Sequence, residues 1–269
     1  MRGLALAAAC LASACAPQPR ARVAAARPTI VSLNPCTDAI LADVTAPGQL
    51  LAVSHYSHEA RGTSMPLAEG RRFPATGGTV EEVLALDPDV VVTGGFLDPA
   101  SAQAFQRLGI RVETVSIAST VAQSEAQVRR LAAVAAQPAQ GEALVARIER
   151  AVAAAHRGGA RKTVLMWQEG GIVPGEGTLV SELLVNSGFR SLSAARGLGQ
   201  GAYLPLDEVL ADPPQLVIAA GDERMEHHPA LRHLTGVSYA SIEPNLLYCA
   251  GPTIPRLAAL LAASRNALQ

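Results

Sequence analysis

Soft or borderline metal donors fall on stretches that read as loops: Cys36, His55, His58, His227, His228 and Cys249. Imidazole and thiolate groups of this kind can touch a metal already held in a chelate. Tight ligand spacings such as Cys-x-x-Cys or His-Glu-x-x-His are missing, so a bare zinc centre is the weaker reading. His55, His227, His228 and Cys249 are the candidates for metal contact, and Cys36 and His58 for contact with the ligand as a whole. Aromatic residues make up only 3% of the chain, so those beside a loop carry weight. Tyr56, Trp167, Tyr203 and Tyr248 have flat faces that suit a macrocycle or a catechol. Arg61, Arg71, Arg72, Arg196, Arg224 and Arg256 are the cations available to an anionic ligand, because guanidinium donors match carboxylate and catecholate oxygens.

A second chemistry uses the same residues differently. Cys36, His58 and Asp38 are the parts of an exported cysteine hydrolase. Neither a Gly-x-Ser-x-Gly elbow nor a cysteine-protease signature accompanies them, and a phosphate-cradling Gly-x-x-x-x-Gly-Lys is missing too. Hydrolysis and the capture of free zinc or nickel therefore stand as alternatives to chelate binding.

The elements that must position these residues come in two similar sets. Residues 81–92 read Glu-Glu-Val-Leu-Ala-Leu-Asp-Pro-Asp-Val-Val-Val, and residues 207–218 read Asp-Glu-Val-Leu-Ala-Asp-Pro-Pro-Gln-Leu-Val-Ile. In each, acids open a short apolar helix at its positive end, a proline stops it, and a continuous apolar run follows. Such runs fit strands covered on both faces. A strand is expected at 29–33, a helix capped by Thr37 or Asp38 running to Val44, a second strand at 50–54, and loop at 56–78. Between the repeats lies a helical stretch, 121–156, divided at Pro138. Its second part carries Leu144, Val145, Ile148 and Val152 on one stripe, a rod of roughly 27 Å. Strands at 163–166 and 239–243 and a closing helix at 254–267 complete an α/β pattern with one βα order throughout. Ligands of such sheets bind beyond the carboxyl ends of the strands. Those ends point to 34–36, 55–58, 94–96, 167–168, 203, 222–228 and 248–249.

The net charge of -1 argues against nucleic acid as a partner, and the 49% hydrophobic fraction is ample for a core. Residues 1–14 read as a signal peptide, with Ala12-Ser13-Ala14 fitting the cleavage rule. Cys15 follows at once and is a lipidation candidate. Residues 15–27 read as a flexible Pro, Ala and Arg tether. Cys36 and Cys249 then face an oxidising compartment, where they could pair, stay free or bind a soft metal.

The order of these motifs resembles the class III, helical-backbone substrate-binding proteins of ABC importers, the group that takes up vitamin B12 and ferric siderophores. The resemblance rests on Thr29-Ile30-Val31-Ser32-Leu33-Asn34-Pro35, on Val53-Ser54-His55-Tyr56-Ser57, on the segment from Val80 to Val91, and on its second copy from Asp207. The helix at 139–156 and Pro255-Arg256 complete it. It implies two Rossmann-like lobes, 28–120 and 161–269, joined through 121–160, with the ligand in the cleft between them. It implies a periplasmic monomer, soluble or lipid-anchored through Cys15, without a resident cofactor. The cargo would be a cobalt or iron chelate, a cobalamin-type corrinoid or a ferric siderophore. The implied partner is a membrane permease with its ATPase, docked through one carboxylate per lobe. The matching positions are Glu81 and Asp207, and Tyr56 matches the aromatic-bearing loop of the B12 binders.

Overall fold

The structure is a computed structural model that describes residues 26–221 and 228–268. The signal peptide, Cys15 and most of the tether lie outside the described residues, as do Arg224 and His227.

Two sheets follow one another. The first contains β1 (Ile30–Ser32), β2 (Leu50–Ser54), β3 (Ala75–Thr76), β4 (Val90–Thr93) and β5 (Arg111–Thr114). Their order is β3-β2-β1-β4-β5 and every pairing is parallel. The second contains β6 (Lys162–Gln168), β7 (Ile172–Val173), β8 (Phe189–Ser191), β9 (Ala202–Tyr203), β10 (Leu216–Ala220) and β11 (Ser238–Ile242). Its main path runs β11-β10-β6-β7-β9, with β8 also on β6. The repeat occupies equivalent places. β4 lies between β1 and β5, β10 lies between β6 and β11, and both strands are buried along their length. Burial on both faces is what their unbroken apolar runs require.

The single βα order does not hold throughout. β7 and β9 pair antiparallel. Gly170 and Gly171 adopt positive φ after β6, a conformation glycine reaches without a Cβ penalty, and the chain turns straight back. The stretch expected to be loop at 56–78 also gains form, with a 3₁₀ turn at His55–His58, a helix at Leu67–Gly70 and β3. The first helix, Pro35–Val44, is capped by Asn34, whose side chain accepts from the Cys36 N–H, rather than by Thr37 or Asp38.

Between the sheets run two helices, Val121–Val134 and Pro138–Ala155. They pack closely: a Cβ on Gly141 would come within 2.5 Å of the Ala132 Cβ. The apolar stripe of the second helix, Leu144, Val145 and Ile148, is buried. It joins one core that also holds Ile30, Leu41 and Val92 of the first lobe and Val164, Leu183 and Leu257 of the second. Burial of this kind contributes about 25 cal/mol per Å², so the connector is bonded into both lobes along its length.

Candidate functional site

Strand ends from both lobes meet around a cleft of about 510 Å³. The first lobe supplies Asn34 after β1, Gly94 to Phe96 after β4, and Val115 to Ser119 after β5. The second supplies Gln168 and Ile172 around the β6 turn, Thr178 to Leu183, and Leu246 to Ala250 beyond β11. Among the described residues none that lines the cleft is charged. Phe96 is 93% exposed and Ile117 71%. Large apolar side chains this open, grouped at a cleft, mark a surface awaiting a partner or ligand.

Cys36 and Cys249 both line the cleft and are joined as a disulfide, with Cα atoms 5.1 Å apart. The pairing corrects their reading as soft metal donors, since a disulfide sulfur has no thiolate to offer. It also removes the nucleophile of the hydrolase reading. The other parts of that arrangement are apart: the His58 Nε2 bonds to the Phe73 carbonyl at 3.0 Å, and Asp38 bonds to serines.

Tyr248 lines the cleft and is half exposed. Partial burial raises its phenol above the usual value. The negative charge of Glu169 adds to the rise and Arg61 partly offsets it. Tyr203 sits exposed on β9, beside Gly201 of the cleft wall. Tyr56 is exposed on the 3₁₀ turn with the His55 ring 4.0 Å from its own, outside the residues that line the cleft. His228 is a helix cap, its Nδ1 accepting from the Ala230 N–H at 3.2 Å.

Trp167 is placed differently from its expected role. It is fully buried, and its Nε1 donates to the Leu204 carbonyl at 3.1 Å. Its neighbours are Leu165, Val209 and Val217, a cluster on the other face of the sheet from Val164 and Met166. Alternation along β6 causes this, because residues two apart share a face. The residue that reaches the cleft from this strand is Gln168.

A second pocket, about 410 Å³, has charged side chains among its lining. It takes Arg61 and Met65 from the first lobe and Glu169, Asn245 and Arg256 from the second. Arg61 and Glu169 approach to 3.3 Å across the lobes, and Arg256 pairs with Glu243 at 3.1 Å. The remaining candidate arginines with described ion pairs serve the surface, Arg72 with Glu69 and Arg196 with Glu208 and Asp212.

Asp38, expected as a cap or hydrolase part, lies outside the cleft lining. It is wholly buried beneath the Tyr56 turn. Its Oδ2 accepts from the Ser54 N–H at 3.0 Å, the Ser54 hydroxyl at 2.6 Å and the Ser57 hydroxyl at 2.7 Å, while Oδ1 has no partner. Burial pushes its carboxyl up to about 7 against the pull of these bonds. Also missed were Ile117 and the 178–183 segment. The rule of strand carboxyl ends would have found Ile117, just past β5.

Glu81 and Asp207 stand exposed in the first turns of the helices Val80–Ala85 and Leu206–Ala211, one on each lobe. Glu82, next to Glu81, bonds to the Thr76 hydroxyl at 2.9 Å. No group of three or more His, Cys, Asp or Glu side chains suited to a metal ion occurs among the described residues. No helix among them is long and apolar enough to cross a membrane.

The periplasmic binding protein family profile matches residues 30–238, and the chain belongs to that family. Its fold is that of the class III members. The heme-binding protein HutB of Vibrio cholerae superposes with a TM-score of 0.73 at 18% identity, over 88% of this chain and 98% of that one. The vitamin B12-binding protein BtuF of Vibrio cholerae gives 0.68 at 16% identity, over 90% and 97%. A periplasmic heme-binding protein from Pseudomonas aeruginosa gives 0.66 at 23%, over 88% and 92%. Comparison with curated protein sequences returned no match.

Proposed function

We propose that this chain is the capture component of an ABC importer, holding a flat metal tetrapyrrole of the heme or corrinoid class between its lobes. The observation that carries this is the cleft itself, about 510 Å³ with apolar side chains from both lobes and no charged residue among those described. An anionic ferric siderophore would have to bury its charges against that lining, at high cost unless paired. A neutral or edge-charged macrocycle would instead cover Phe96, Ile117 and Ile172. The solved relatives that bind heme and vitamin B12 support the same reading.

Tyr248 is the half-exposed phenol in the cleft wall. It is proposed to bond to the chelate or to give its oxygen to the metal on loss of its proton, with Tyr203, beside the cleft wall, and Tyr56, outside the lining, as further candidates. Glu81 and Asp207 are proposed to dock one lobe each onto basic residues of the permease, setting orientation and on-rate more than affinity.

Titration with hemin, cyanocobalamin and a ferric tris-catecholate followed by visible absorbance, and with zinc ion followed by calorimetry, tests the assignment. Saturable one-to-one binding of a tetrapyrrole, tighter than the catecholate or zinc, supports it. Preference for the catecholate, or for zinc alone, would replace it.

A further inference from the structure

Cys36 and Cys249 are separated by 213 residues in the chain and joined in the fold. Cys36 opens the helix after β1, in the first lobe. Cys249 lies between the turn Pro244–Leu247 and the closing helix Thr253–Asn266, in the second. Both border the ligand cleft. Their bond is a covalent tie between the lobes, set in the wall of the site.

The tie is seated firmly. Two residues beyond Cys249, the Gly251 N–H donates to the Ser124 hydroxyl at 2.9 Å. A Cβ on Gly251 would stand 2.9 Å from the Ile40 Cγ1, so this loop is pressed against the first lobe and glycine is what allows it. The cleft residues Leu246, Leu247 and Tyr248 lead directly into Cys249. At the second pocket, by contrast, the lobes are joined by the Arg61–Glu169 pair, whose arginine side chain is 74% exposed. Exposed pairs of that kind hold little.

We infer that the Cys36–Cys249 disulfide is a specificity determinant of the cleft. It limits how far the lobes part, so that the gap admits a flat chelate and turns away a globular one. A tie across so long a loop removes much of the freedom the two segments would otherwise have. A cleft fixed in advance loses less ordering entropy when a rigid planar ligand enters. The ligand class in this inference rests on the reading under Proposed function.

The test compares the oxidised protein, the protein reduced with dithiothreitol and then freed of it under anaerobic conditions, and the Cys36→Ser/Cys249→Ser double variant. Reduction takes two electrons and two protons from the dithiol, which closes to its own disulfide and leaves two thiols at Cys36 and Cys249. Dissociation constants are measured for hemin, for cyanocobalamin and for a ferric tris-catecholate, with amide hydrogen exchange of 94–96 and 246–250 recorded without ligand. The oxidised protein is expected to favour one of the two tetrapyrroles over the catecholate by about tenfold or more. In the reduced and variant forms that ratio falls severalfold and both segments exchange faster. Agreement between these two forms excludes thiol coordination of the iron as the cause. If the variant fails to fold by circular dichroism, the reduced wild type decides. An unchanged ratio in the two redox states overturns the inference and leaves the functional reading standing. Absence of chelate binding by the oxidised protein overturns both.

Discussion

The Ser57 hydroxyl donates to the Oδ2 of Asp38 at 2.7 Å, and this bond ties the turn that carries Tyr56 to the helix that carries Cys36. Ser54 adds two more donors to the same oxygen. The carboxyl is wholly buried and its second oxygen has no partner, so its ionised form is costly despite three hydrogen bonds.

Stability therefore depends on pH through this group. Its folded value, about 7, lies above the ordinary 3.8. Between those values the folded protein holds a proton that the unfolded chain releases. The contribution is full at low pH and is lost as pH rises through about 7. The amount is on the order of 2–4 kcal/mol. Asp38→Asn stays neutral throughout. Urea denaturation at about pH 5 and about pH 8 is expected to show this slope in the wild type and little of it in the variant. Equal slopes in the two proteins would show that Asp38 does not titrate near neutrality.

The connector predicts a stabilising substitution. Ala136 joins the two helices at φ 53, a left-handed conformation that costs an alanine about 1 kcal/mol or more. Ala136→Gly is expected to raise stability by roughly 0.5–1 kcal/mol, less the extra freedom glycine gains in the unfolded chain. A fall in denaturation midpoint would mean that the Ala136 methyl contributes packing that outweighs the strain.

Trp167→Phe separates core from site. The change removes the indole donor and leaves the Leu204 carbonyl without that partner, at a cost of about 1–3 kcal/mol. Ligand affinity should stay within about twofold of wild type, since the indole lies outside the cleft. Weakened binding in a fully folded variant would contradict this placement.

What the sequence disclosed and what it hid divide along physical lines. The repeat at 81–92 and 207–218 was legible because doubly covered parallel strands demand unbroken apolar runs, and both copies became central strands. The helix at 138–155 was legible from its stripe. Trp167 was misplaced because nearness to a strand end says nothing about facing, and alternation turns residue 167 away from the face used by 166. The Cys36–Cys249 bond was beyond reading, since pairing needs Cα atoms within about 7 Å and nothing local encodes a contact across 213 residues. Asp38 looked like a helix-start acid. Its burial depends on the 54–57 turn folding over it, a tertiary fact.

Transport gives a prediction apart from binding. Glu81→Arg with Asp207→Arg is expected to abolish ligand uptake in a strain that depends on this protein while leaving ligand affinity within about twofold. Both residues are exposed in helix first turns and neither lines the cleft. Uptake that survives the double change would remove them from the docking surface.

The most direct test of the account is an absorbance titration of wild type and of Phe96→Ser/Ile117→Ser with whichever of hemin and cyanocobalamin binds. Both side chains are exposed in the cleft wall, and truncating them removes apolar contact with the macrocycle and little of the folded core. Saturable one-to-one binding is expected in the wild type, with a loss of about tenfold or more in the variant. Equal affinities in the two proteins would place the chelate outside this cleft and contradict the account.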